Sequence, residues 1–212
     1  MFDFVWNSTP ATAPWTQDFG HGLISGTKLA TQIGWRTVDA IVPGDQCLTF
    51  DGGLQTVTSV ECHAVQTGGA ASDPTTWPLT VPAGALGNKE PLLLLPDQAV
   101  LVESDTAEAV FGDAFALIPA KALDGLRGIH RSPPPDTINV FFVRFAQDEI
   151  VFANFGALFQ CPAQADLLAD PVDPAYKILT LDQAKLLVQC LTQEDLGHAD
   201  PRQAAQAFRI AA

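Results

Sequence analysis

Basic side chains are scarce: the 212 residues include 11 Lys and Arg against 24 Asp and Glu, a formal net charge of −13. Neutralising phosphates takes clustered cations, and here they are scattered singly, which argues against nucleic acid as a partner. The same charge favours solubility and repels anionic membrane surfaces; its plainest meaning is a solvated acidic surface. Long hydrophobic runs are missing as well. Tight apolar runs such as 92–95 and 114–118 fall far short of the about 18 residues a membrane-crossing helix needs. The first residues, MFDFVWNSTPATAPWTQDF, have no basic head and no continuous apolar stretch, and Pro10 and Pro14 break them. They do not read as a secretory signal, so the cytoplasm is the default address.

Cysteine is sparse and unpaired in spacing. Cys47, Cys62, Cys161 and Cys190 show neither the close pairs of a zinc site nor the density of a disulfide scaffold. Cys62 and His63 are adjacent, but neighbours on a strand point to opposite faces and make a poor catalytic couple. His63, His130 and His198 lie far apart without ligand spacing, so no metal and no other cofactor is called for. The chain has no Gly-x-Gly-x-x-Gly, no phosphate loop, no Gly-x-Ser-x-Gly elbow and no His-Glu-x-x-His. Asp97, Glu103, Asp105 and Glu108 leave a carboxylate pair open, although such runs usually form a solvated face.

What is there in quantity is strand signal: short apolar runs separated by turn residues. Asp51-Gly52-Gly53 suits a hairpin between QCLTF and LQTVTSVECHAV, and Gln147-Asp148 separates TINVFFVRFA from EIVFAN. Residues 66–75 read as the loosest loop, and SPPPD at 132–136 as a stiff connector. The last fifty residues change character. Thr180 and Gln183 have the form of a capping box, with Leu181, Ala184, Leu187, Val188 and Leu191 at helical spacing after it. Asp200-Pro201 opens a second helix through Phe208. These helices either pack on the β body or present a docking or oligomerisation face.

The most informative stretch is GLISGTKLATQIGWRTVDAIVPGDQCLTF at 22–50. It has a turn at Gly26-Thr27, a short strand to Thr31 and a glycine turn at Gly34. The apolar pair Val38 and Ile41 follows, then Pro43-Gly44-Asp45 leading into a strand. It resembles the opening of a Hint (hedgehog/intein) domain. VPAGALGNKEPLLLLPDQAVLV at 81–102 is similar to the middle block of bacterial members, and 116–131 with 138–155 to the late strands. The resemblance implies a mainly β Hint fold over 20–162, an N-terminal extension over 1–19 and a helical appendage over 163–212.

It also implies the chemistry to look for. Active members carry a cysteine or serine four residues before the first glycine of the turn; here that position is Gly22. A histidine that protonates or polarises the scissile bond falls at Gln98, and the late turn where many members have another histidine at Asp148. Glycine cannot attack a carbonyl, and an amide does not titrate near neutral pH. The expectation is a vestigial site at Gly22, Gln98 and Asp148, meeting at one pocket. The module has then lost self-processing and serves a structural or binding role; a protein partner stays open and the oligomeric state unassigned. The competing expectation is autoprocessing by a displaced nucleophile, Ser25, Thr27 or Cys62. Asn154 follows Ala153 rather than the histidine that precedes a cyclising asparagine. Because bacterial Hint modules occur in large exported proteins, the resemblance also leaves leaderless secretion open.

Overall fold

The computed structural model describes residues 20–163, 176–197 and Phe208. The chain begins with β1 (Leu23–Ile24), β2 (Lys28–Thr31), β3 (Gly34–Thr37), β4 (Gln46–Thr49), β5 (Gly53–Thr56), β6 (Ser59–Gln66) and β7 (Leu79–Val81). It continues through β8 (Leu92–Leu94), β9 (Ala99–Glu103), α1 (Asp105–Phe111), β10 (Phe115–Pro119) and β11 (His130–Arg131). The last elements are β12 (Thr137–Arg144), β13 (Glu149–Ala153), β14 (Ala157–Cys161) and α2 (Leu181–Asp195). Every pairing between these strands is antiparallel. The largest sheet runs β10-β9-β14-β13-β2-β4-β5 with β3 beside β2; two smaller sheets run β1-β12-β6 and β11-β7-β8. The protein is mainly β.

The opening motif folds as its turn residues require. Gly44 sits at φ +95°, a conformation that glycine alone adopts without cost. The adjoining Asp45 carboxylate accepts from the Val42 amide at 3.0 Å and from Arg36 Nη1 at 2.8 Å. Ahead of that turn the chain leaves β3 through a three-residue 3-10 turn, Val38–Ala40. Val38 and Ile41 are buried, within one apolar core that also takes in Leu29, Cys47, Ile118, Phe145, Val151 and Phe159.

The run after Gly53 behaves differently from its sequence pattern. It reads as one strand, yet it breaks at Val57-Thr58 into β5, paired with β4, and β6, paired with β12. The switch is fixed by long-range main-chain bonds: Val57 N donates to Asp45 O and Thr58 N to Arg144 O, both at 2.8 Å. Residues 66–75 are less loose than expected. They hold two 3-10 turns, Gly69–Ala71 and Pro74–Thr76, tied by Thr67 Oγ1 to Pro135 O at 2.6 Å.

The acidic run at 103–108 ends β9 and opens α1, with Glu103, Asp105 and Glu108 all exposed. Ser104 caps it by accepting from Thr106 and Ala107, and Gly112 closes it in the left-handed region. The Thr180–Gln183 capping box is present and starts α2, whose Ala184, Leu187, Val188 and Leu191 pack into the same core as the strands. Glu194 joins the two helices: its Oε1 accepts from Ser104 Oγ at 2.9 Å and Thr106 Oγ1 at 2.7 Å. The expected second C-terminal helix lies outside the described residues except for Phe208, which is helical and buried. Its ring meets Phe111 edge-on at 5.4 Å. No helix among the described residues is long and apolar enough to cross a membrane.

Candidate functional site

Gly22 is buried at the entrance to β1, and His21 stands in the turn directly before it. The His21 imidazole titrates below its ordinary value: burial lowers it, the carboxylates of Asp97 and Asp148 partly offset this, and Arg144 adds to the lowering. Asp97 lies in the turn before β9 and Asp148 in the turn before β13. Asp97 is held by Lys121 Nζ at 2.5 Å. Asp148 is half-buried, and its Oδ1 accepts from the Ala163 amide at 2.8 Å.

Gln98 is completely buried. Its Nε2 donates to the main-chain oxygens of Gln160 at 2.9 Å and Ala99 at 3.2 Å, so the amide cross-links the start of β9 to β14. Its Oε1 is buried with no hydrogen-bond partner among the described residues, and so is that of Gln160. An amide in this position can hold two strands together, but it has no proton to exchange near neutral pH. Gln160 was not singled out from the sequence. The signal was available, as a lone amide in the apolar run ALFQC.

The alternative nucleophiles group around a residue that the sequence did not flag, Asp39. Ser25 is exposed, and its Oγ donates to Asp39 Oδ1 at 2.5 Å while the Gly26 amide donates to Oδ2 at 2.8 Å. Burial pushes the Asp39 carboxyl up, but these hydrogen bonds outweigh it and hold the group below the usual carboxylate value. Thr27 is buried, with Oγ1 on the Ile24 carbonyl at 2.7 Å and its amide on the same oxygen at 3.1 Å. Cys62 lies in β6, across Phe141 from Leu23. Its thiol is pushed up first by burial and then by the Asp39 charge, which leaves little thiolate. Cys47 and Cys161 are buried free thiols; burial drives Cys47 up to about 12 and raises Cys161 as well.

Asn154 has a structural task. Held at φ +43° and buried, it accepts from the Lys28 amide through Oδ1 and donates its own amide to Lys28 O, both at 2.9 Å. This locks β13 to β2. His130 Nδ1 lies 3.0 Å from Gly128 O, and His63 approaches Glu61 at 3.6 Å. His198 falls outside the described residues. Among the described residues, no three of His, Cys, Asp and Glu are grouped so as to hold a metal ion.

Comparison with known families closes the assignment of the fold. The family profile described as Hint domain matches residues 21–159, well over half of the chain. The chain belongs to the Hint domain family. Among solved structures, this Hint domain is similar to the solution structure of a bacterial intein-like domain from Clostridium thermocellum, at 14% identity and a TM-score of 0.47. That match covers 66% of this chain and 97% of the other. A second similar structure is a glutathione-linked, splice-inactive variant of the AceL NrdHF class 3 split intein, at 16% identity and a TM-score of 0.34, covering 68% of this chain and 99% of that one. A comparison with curated proteins finds no match.

Proposed function

We propose that this Hint domain has lost self-processing and acts as a structural or binding module. The observation that carries the reading is Gln98. Where an autoprocessing domain needs a titrating group, this chain has a fully buried amide whose nitrogen is spent on the main-chain oxygens of Gln160 and Ala99. Gly22, at the position that the family resemblance assigns to the nucleophile, offers no attacking atom. The buried environment favours a group that never charges, since ionising an imidazole there would carry a desolvation cost. The test is intact mass of the purified protein after prolonged incubation with and without dithiothreitol, which intercepts thioesters. One unchanged species near 22.6 kDa is expected; fragments meeting at one junction overturn the reading.

One arrangement favours a second reading, cleavage at the bond between Ile24 and Ser25. The Ser25 hydroxyl touches a carboxylate at 2.5 Å, and the Ile24 carbonyl receives two donors from Thr27, in the manner of an oxyanion site. Attack by Oγ on the Ile24 carbonyl carbon would form an ester and break the peptide C–N bond, the hydroxyl proton passing by way of Asp39 to the Ser25 nitrogen; hydrolysis of that ester by water would then separate the fragments and leave Ser25 as a new amino terminus. Two features oppose it. Asp39 is held in its ionised form below the usual carboxylate value, which makes it a weak base, and the Ser25 amide is already engaged with Asn139 O at 2.9 Å. A new amino terminus at Ser25 in the same mass experiment would establish this route; an intact chain disposes of it.

A further inference from the structure

A cavity of about 490 Å³ opens beside β10 and the end of α1. Four aromatic rings contribute to its wall: Phe50, Phe111, Phe115 and Tyr176. They come from four separate places in the chain. Phe50 and Phe115 meet edge to face with centroids 4.9 Å apart, and Phe111 keeps 42% of its surface exposed even with Phe208 against it. Beside the other three rings it adds apolar surface to the cavity wall, the kind of lining that small-molecule sites have. Two carboxylates, Asp51 and Asp113, share the wall.

We propose that this cavity binds a small quaternary ammonium compound. Ring faces carry negative potential that attracts a cation, and the carboxylates and the net charge of −13 add attraction of the same sign. The hydrogen-bonding inventory selects the methylated cation over a simple ammonium. Asp51 already accepts from the Tyr176 hydroxyl at 2.5 Å, and Asp113 Oδ1 accepts from the Phe115 amide at 2.9 Å. A primary ammonium would bring three N–H groups to a wall made largely of rings, where most would go unpaired, whereas a trimethylated nitrogen has none to satisfy. The volume lies within the range of small-molecule sites. Lys177 also lines the cavity; its exposed side chain opposes a bound cation, so its removal strengthens binding. This inference goes beyond the loss of processing and does not depend on it, since a chain that cleaved itself would keep the same rings.

Tyr176 is the only tyrosine, so protein carrying ring-labelled tyrosine gives a single reporter resonance inside the site. Choline is titrated into the full chain and compared with 3,3-dimethylbutan-1-ol, its neutral isostere. A saturable shift with choline is expected, with affinity about tenfold weaker for the alcohol and for Phe111→Ala. Lys177→Ala is expected to bind choline more tightly. Circular dichroism checks that Phe111→Ala is folded, and Asp113→Asn, expected to weaken choline alone, serves if it is not. Equal response to choline and the alcohol, or no saturable shift at tens of millimolar choline, overturns the proposal.

Discussion

The side-chain nitrogen of Gln98 donates to the main-chain oxygen of Gln160 at 2.9 Å, while both glutamines keep a buried side-chain oxygen with no donor among the described residues. The bond explains why an amide suits this position: it joins β9 to β14 while carrying no charge into the core. It also identifies what a histidine there would have to displace.

Restoring both missing groups provides the sharpest check on the loss of processing. The Gly22→Cys/Gln98→His variant is expected to release fragments after His21 when a thiol is present, and neither single substitution is expected to do so. Mass spectrometry of the three variants decides it. Fragments from the parent chain, or from Gln98→His alone, would place the nucleophile elsewhere.

Gly156 and Gly87 meet so closely that a Cβ on Gly156 would stand 2.2 Å from the Gly87 carbonyl oxygen. The obstacle is main chain, which cannot swing aside as a side-chain tip would. Gly156→Ala is therefore expected to destabilise by about 2–3 kcal/mol, read from the urea midpoint. Gly84, whose added Cβ would meet nothing within 4 Å but whose φ is +87°, should cost less on the same change, about 1–2 kcal/mol.

Asp39 sets a pH dependence with a definite sign. Its folded value is below the unfolded one of about 3.9, so the unfolded chain binds the proton more readily and the carboxylate stabilises the fold above that pH. The contribution is lost as pH falls through the folded value. Asp39→Asn should thus unfold at lower temperature than the parent at neutral pH, with the gap closing in acid below about pH 3.9. Because the group is largely exposed, solvent screening keeps the gap small. A gap that widened in acid would contradict the assignment.

Some of this architecture was readable along the chain because it is local. Gly44 and Asp45 signal their turn through backbone freedom and a short side chain that reaches its own neighbouring amide. Thr180 and Gln183 cap α2 within four residues of one another. Ser104 and Gly112 bracket α1 by the same rules, and the acidic residues between them drew attention to charge instead of to the cap. The break of 53–66 into two strands left no such mark, since Val57 and Thr58 are claimed by Asp45 and Arg144, partners that the local pattern does not reveal.

The sequence by itself determined the absences. A chain with Gly22 has no side chain to attack with, and one with Gln98 has no proton to exchange there, whatever shape surrounds them. It also determined the β pattern, the turns and the negative charge, since these are properties of residues and their immediate neighbours. Only the tertiary structure decided that Gln98 would hold Gln160, that Ser25 would rest on Asp39, and that rings from positions 50, 111, 115 and 176 would line one cavity. Such meetings depend on which strands pair and how the helices dock, and sheet pairing brings together residues that no local spacing connects.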